Sequence, residues 1–180
     1  LAIGACAAPP PTTTDTPLDL PVLQHVANWT IQLQGLEDEH ALRRLETAAV
    51  DMVVVEPMRS QRGMSDFPAA AFVQRLQKSG GASLPHKRAI AYLNLGQAED
   101  YRAYWRPEWR APTADAAGEP SFLLSLDPDG WQGNFPVAYW DPRWRACLWG
   151  SPEAPLDQLI ADGFDGVYLD WILGFEDPKV

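Results

Sequence analysis

The chain has 180 residues, of which 46% are hydrophobic and 11% aromatic, a composition typical of one globular domain with a well-filled core. Acidic residues outnumber basic ones by 24 to 14, which gives a formal net charge of -10. This charge argues against binding to a nucleic-acid backbone or an anionic membrane surface, because either requires a basic patch. A neutral or polycationic ligand fits the sign of the charge better.

The first twenty residues differ in composition from the rest. They begin with small and aliphatic residues that end at Cys6, and a Pro/Thr-rich run follows to Pro17. This order is typical of the end of a bacterial lipoprotein signal, whose cysteine is acylated, followed by an extended tether. We predict a signal remnant and tether over residues 1–20, lipidation at Cys6, and a protein of the bacterial cell envelope or a secreted one. The alternative is an apolar N-terminus that merely contains a cysteine.

The next part of the chain alternates predicted strands and helices. Apolar and polar residues alternate after Trp29, alanines and leucines follow at helical spacing, and a second apolar strand ends at Glu56 before Pro57. The predicted elements are strands over residues 29–34, 51–57 and 88–96, a helix over 38–49, and a helix capped by Ser65 or Asp66 that carries Ala69, Phe72, Val73 and Leu76 and ends at Gly80.

The second half gives a less regular pattern. Residues 97–106 predict a short aromatic helix closed by Pro107, whereas residues 107–135 have no clear assignment, and loops of that length are usually functional. A fourth strand is predicted over residues 135–141, a helix before Gly163, and a fifth strand that ends at Asp170.

Five strands separated by helices indicate a parallel α/β sheet. A complete (β/α)8 barrel takes about 250 residues, so the spacing predicts a TIM-barrel-like domain over residues 21–180 that is truncated after about the fifth strand. An open doubly wound sheet of five strands is the alternative. We favour the barrel because polar or acidic residues end strands two, four and five and follow strand three, and these would share one rim.

Asp170 is the first candidate for chemistry. It ends a short apolar strand, where a charge costs several kcal/mol unless it is paired or used. Acids at the C-terminal ends of barrel strands are frequently catalytic. The alternative is that Asp170 caps the next turn.

Four stretches carry a family resemblance: residues 91–102 with Tyr104 and Trp105, then 131–134, 137–142 and 163–170. In this order they resemble glycoside hydrolase family 114, the endo-α-1,4-polygalactosaminidases and their bacterial relatives, which share a TIM-barrel-like domain. The resemblance extends from Trp29 to about Glu176. It implies hydrolysis of an α-1,4-linked polymer of galactosamine, whose amino-sugar units are cationic, by an enzyme that needs no cofactor.

The same resemblance implies roles for individual residues. Asp170 matches the acid that ends the family's Gly-Val-Tyr-Leu-Asp strand and is our predicted catalytic residue. The family's second catalytic carboxylate lies on a later barrel strand, which we expect beyond Val180. Two positions depart from the family pattern: relatives often carry Glu where Gln97 stands and Asp where Glu56 stands, and an amide at position 97 cannot act as an acid or base.

Glycosidic cleavage uses two carboxyl groups, and sugar rings stack on aromatic side chains. Eight tryptophans, most of them after Trp105, suit such stacking, although each could equally belong to a core. The predicted substrate-binding residues are Glu56, Tyr92, Asn94, Glu99, Tyr139, Trp140, Asp141 and Trp171. The alternative role for Glu99 is a surface ion pair with Arg102. The alternative role for Glu56 and Asp141 is to stabilise a turn before a proline.

Other residues are predicted to be structural. Asp165 fits a tight turn, and Trp105, Trp109 and Trp144 fit packing. The histidines His25, His40 and His86 lack metal-ligand spacing, so we predict surface positions and no metal site. Two further hypotheses stay open beside the glycosidase: a non-catalytic glycan-binding envelope protein on a degenerate barrel, and a fragment that does not fold stably alone.

Overall fold

The computed structural model describes residues 23–36, 38–57 and 68–177. The predicted lipidation site at Cys6 and the tether lie outside the described residues, as do Ser65 and Asp66. The elements in chain order are β1 (Trp29–Gln32), α1 (Glu39–Thr47), β2 (Met52–Val55), α2 (Ala69–Lys78), β3 (Arg88–Asn94), β4 (Gln97–Glu99), β5 (Asn134–Pro136), α3 (Pro142–Leu148), α4 (Pro155–Ala161), β6 (Gly166–Asp170) and a 3-10 helix (Gly174–Glu176).

Four strands form a parallel sheet in the order β1-β2-β3-β6. The predicted parallel α/β sheet is confirmed, and the strands follow chain order without the reversal of a doubly wound sheet. Although two strands separate β1 from β6, the rings of Trp29 and Tyr168 lie 6.3 Å apart. This contact indicates that one face of the sheet is concave.

The convex face of the sheet packs on the first two helices. The core there combines strand residues with the apolar stripes of α1 and α2; its members are Leu36, Leu42, Leu45, Val53, Val55, Phe72, Val73, Leu76 and Ala89. Asp38 caps α1 by accepting a hydrogen bond from the N–H of His40. Pro68 occupies the N-cap position of α2, without a side-chain cap hydrogen bond. Because side chains alternate along a strand, Ile90, Tyr92 and Asn94 of β3 lie on the concave face.

Two predicted elements of the second half are wrong. Residues 97–106 begin with β4 and continue in turns, not as a helix. The predicted fourth parallel strand over residues 135–141 is instead the short β5, which pairs antiparallel with β4 in a separate sheet. Gln97 lies opposite Pro136 and Glu99 opposite Asn134. This pairing joins segments far apart in the chain, and local spacing does not encode it.

The aromatic residues of the second half form a second core beside the two-stranded β4–β5 sheet. Trp144 is fully buried and donates its indole N–H to the carbonyl of Leu95 at 2.9 Å. Trp105 and Trp109 pack edge to face with ring centroids 5.3 Å apart. The predicted packing role of these three tryptophans is confirmed.

The three histidines all lie on the surface, as predicted. Asp165 also has its predicted structural role, because it accepts hydrogen bonds from the backbone N–H of Ala89 and the side chain of Gln77. Among the helices that the structure describes, none is long and apolar enough to cross a membrane.

Candidate active site

A cavity of about 410 Å³ opens where β2, β3 and β6 end, against the loop that precedes β5. Its lining combines carboxylates, amides and aromatic rings: Leu33, Gln34, Glu56, Tyr92, Asn94, Gln97, Glu99, Tyr101, Trp131, Gln132, Asn134, Asp170 and Trp171. Six predicted site residues therefore share one cavity: Glu56, Tyr92, Asn94, Glu99, Asp170 and Trp171. Its position agrees with the rule that parallel strands carry their sites at their C-terminal ends.

Both oxygens of Asp170 are held by neutral donors. The Tyr92 hydroxyl donates to Oδ2 at 2.5 Å, and the backbone N–H of Trp171 donates to Oδ1 at 2.9 Å. Burial and the hydrogen bond to Asp170 raise the pKa of Tyr92, so its hydroxyl remains a donor at any ordinary pH. The carboxylate is thus fixed in one orientation.

Trp171 adopts a left-handed backbone conformation with φ of 58°, which is an outlier for a bulky side chain and is found mainly at functional sites. Two glycines make room for it. A Cβ at Gly96 would lie 2.1 Å from the Trp171 carbonyl oxygen, and a Cβ at Gly174 would lie 2.7 Å from its ring. The turn that carries the Trp171 N–H to Asp170 therefore depends on both glycines.

Arg102 binds the other two carboxylates of the cavity. Its Nε donates to Glu99 Oε2 at 2.6 Å, and its Nη2 donates to Glu56 Oε2 at 2.8 Å. The predicted Glu99–Arg102 pair is confirmed, but it is buried, not on the surface, with side chains 7% and 4% exposed. Burial opposes the charge of Arg102, yet the attraction of Glu99 and Glu56 raises its pKa.

Gln97 connects strand β3 to the loop before β5. Its Oε1 accepts from Asn94 Nδ2 at 2.9 Å, and its Nε2 donates to Asp127 Oδ2 at 2.9 Å. Asn94 also accepts the backbone N–H of Gln97 at 3.0 Å. Asn94, a predicted substrate contact, is therefore already engaged in a buried polar network.

Three predicted site residues do not line this cavity. Asp141 is the N-cap of α3 and pairs with Arg143 at 2.6 Å, and hydrogen bonds from Arg143 lower its pKa. The Tyr139 hydroxyl donates to the carbonyl of Ile172, and Trp140 is 58% exposed. The predicted strand end at Trp140 and Asp141 is wrong, because β5 ends at Pro136 and the chain enters helix α3 after Asp141.

Sequence reasoning missed three residues of the site as functional candidates. Tyr101 donates a hydrogen bond to Glu99, Arg102 is the counter-ion described above, and Trp131, which is 67% exposed, lines the cavity. The usable signal for Trp131 was the long unassigned loop around it. Among the described residues, no three His, Cys, Asp or Glu side chains form a group that could hold a metal ion.

Comparison of the sequence with protein families and with other proteins identifies its relatives. The model of glycoside-hydrolase family GH114 matches residues 9–179. A protein of Deinococcus radiodurans is 38% identical over 175 residues, which are 96% of this chain and 50% of that protein. A protein of Methanocaldococcus jannaschii is 38% identical over 148 residues, covering 82% of this chain and 36% of its own length. The chain thus spans half or less of the length of these relatives.

Solved structures share the fold at lower identity. The crystal structure of Aspergillus fumigatus Ega3 in complex with galactosamine matches with a TM-score of 0.55 and 18% identity, over 86% of this chain and 48% of that one. The glycoside hydrolase domain of PelA from Pseudomonas aeruginosa matches with a TM-score of 0.51 and 19% identity, over 84% and 47%.

Proposed function

The chain belongs to glycoside-hydrolase family GH114, and we propose that its cavity hydrolyses an α-1,4-linked galactosamine-type polysaccharide. The observation that carries this proposal is the setting of Asp170. It ends β6, lines the cavity, and is oriented through both oxygens by Tyr92 and the Trp171 N–H. Glycosidases require such a fixed carboxylate beside the bond that breaks.

Charge supports an amino sugar as substrate. The cavity contains the carboxylates of Glu56, Glu99 and Asp170, whereas Arg102 supplies one guanidinium. The excess of negative charge favours a protonated amine over a neutral or acidic sugar. The galactosamine bound to Ega3, a protein of the same fold, points to the same chemistry.

Two-carboxylate chemistry assigns complementary tasks to the residues. One carboxylate attacks the anomeric carbon or activates water, while a second carboxyl group protonates the leaving oxygen. We assign the first task to Asp170. Because Glu56 and Glu99 are both bound to Arg102, we expect the proton donor to come from outside the described residues.

The test is release of reducing ends from α-1,4-linked polygalactosamine by the intact protein. Asp170→Asn keeps the size of the side chain and removes the carboxylate, so we expect turnover to fall by about 10³-fold or more. Asp115→Asn, at an exposed position outside the cavity, is the matched control. Equal turnover in both variants would remove Asp170 from the mechanism.

A second candidate is a protein that binds the glycan without cutting it. The engagement of both Glu56 and Glu99 by Arg102 favours it, because neither is free to donate a proton. This candidate predicts retention on polygalactosamine with no new reducing ends, and detectable chain cleavage would exclude it.

The membrane anchor is a separate proposal. We propose that Cys6 carries a lipid that holds the protein in the bacterial envelope. Labelling with an alkyne fatty acid should mark the parent protein and not Cys6→Ser, and equal labelling of both would contradict the proposal.

A further inference from the structure

Trp131 presents an unusually large apolar surface to solvent at the rim of the cavity. Trp131 is 67% exposed, more than Trp29, Trp140 or Trp149, and it lines the cavity that contains Asp170. An exposed aromatic ring beside polar groups is typical of a ligand contact. The exposed ring at the rim of the cavity therefore predicts a ligand with a flat apolar face.

The loop that carries Trp131 is fixed at several points. At its start, buried Asp127 accepts the side-chain N–H of Gln97 at 2.9 Å. At its end, the Gly133 carbonyl accepts the backbone N–H of Asp100 at 2.9 Å, and Asn134 Nδ2 donates to Gln97 at 3.3 Å. The indole is therefore exposed on an anchored backbone, which lowers the entropy lost when a ligand stacks on it.

The amide of Gln97 is chemically suited to this anchoring. It accepts from Asn94 through one atom and donates to Asp127 through the other, which a carboxylate cannot do. A glutamate here would place two carboxylates about 2.9 Å apart, and they would repel unless they shared a proton. Glutamine thus holds the loop where glutamate would release it.

We propose that Trp131 is the stacking platform of a second sugar subsite, so that the site binds at least two consecutive units of an amino-sugar polymer. The indole offers an apolar face to the C–H groups of a pyranose ring and attracts a nearby ammonium group. Asp170 and Trp171 serve the first subsite in the same cavity. The inference rests on the proposed polysaccharide substrate and adds the residue, Trp131, that binds the sugar unit next to the one at Asp170.

The experiment measures calorimetric binding of galactosamine and its α-1,4-linked di- and tetrasaccharides to the intact Asp170→Asn protein. With Trp131 present, affinity should rise from the mono- to the disaccharide. Trp131→Ala should lower disaccharide and tetrasaccharide affinity about tenfold while monosaccharide affinity changes less than about twofold. Trp149→Ala, an exposed tryptophan outside the cavity, should change neither.

A second pair of variants tests the anchor. Like Trp131→Ala, Gln97→Glu should lose affinity for the di- and tetrasaccharide and not for the monosaccharide. Adding Asp127→Asn should restore the affinity, because the new amide can donate to the glutamate. Thermal melts of all variants check folding. Failure of the double variant to regain any affinity would contradict the anchoring role of Gln97.

The outcomes separate this inference from the proposed function. If Trp131→Ala binds all three sugars as the parent does, or loses monosaccharide affinity equally, or if no length of sugar binds, the second subsite is overturned. If the length dependence follows Trp131 but the protein with Asp170 intact releases no reducing ends, the subsite stands and the proposed hydrolysis fails.

Discussion

Replacing Gly96 by alanine should disrupt the site although it adds a single methyl group. A Cβ at this position would lie 2.1 Å from the carbonyl oxygen of Trp171 and 2.7 Å from its Cβ. Ordinary carbon–oxygen contacts lie near 3.3 Å, so the two segments must separate by about 1.2 Å. The obstructing atoms belong to backbone and to the base of a side chain, which no rotamer change can remove.

The displacement should fall on the turn that carries the carboxylate. Gly96 is held in place because its carbonyl accepts the N–H of Val137 at 2.9 Å and its own N–H faces the Asp170 carbonyl at 3.4 Å. A shift of about 1 Å at a reacting group can cost about 100-fold in rate, and overpacking costs about 1–3 kcal/mol of stability. We expect both effects in Gly96→Ala.

The assay compares turnover of polygalactosamine and urea unfolding in Gly96→Ala and Gly80→Ala. Gly80 has open space around its Cβ position and no positive φ, so its variant should match the parent in turnover and stability within experimental error. If Gly96→Ala retained turnover within about twofold of the parent, close packing of Gly96 on Trp171 would not position the site.

Three further variants test the polar interactions. Arg102→Met leaves two buried carboxylates without their counter-ion and should lower the free energy of unfolding by about 3–5 kcal/mol in urea titrations; a change below about 1 kcal/mol would contradict a buried triad. Tyr92→Phe removes the hydroxyl that donates to the Asp170 carboxylate and should reduce turnover by about 10-fold or more at nearly unchanged stability. The control Tyr168→Phe, whose ring stacks on Tyr92 at 6.4 Å, should keep the turnover of the parent. Backbone hydrogen bonds lower the pKa of Asp51, so its carboxylate stabilises the fold above the unfolded pKa of about 4 and loses this effect as pH falls through the lower folded pKa. Asp51→Asn should therefore be less stable at pH 7 and show a flatter decline in acid, and parallel stability curves would refute this.

The sequence predicts the first half of the fold well because its signals are local. Apolar spacing and the punctuation by Pro57 and Gly80 define β1 to β3 with the helices between them, and Gly163 marks the end of α4 before β6. Asp170 is recognisable because an acid ends an apolar strand. These features depend on neighbours within a few residues.

Local sequence signals do not predict the antiparallel pairing of β4 with β5. Gln97 and Pro136 become partners through tertiary pairing, and three-residue strands carry too little periodicity to be recognised. The pattern at Asp141 is ambiguous, because an aromatic residue followed by an acid and a proline fits two structures. It fits a strand end, and it fits an N-cap with proline in the first turn of a helix, which the chain adopts.

The three acids of the cavity differ more in their ion-pair partners than in their positions along the strands. Glu56 and Asp170 both stand at the ends of parallel strands, yet Arg102 binds Glu56 and Glu99. Among the described residues, Asp170 has no ion-pair partner and is held by neutral donors. A carboxylate that is already neutralised by a guanidinium has less charge to offer a developing cation. This difference favours Asp170 over Glu56 and Glu99 for the catalytic role that we propose, with the Arg102 ion pairs beside it in a structural role.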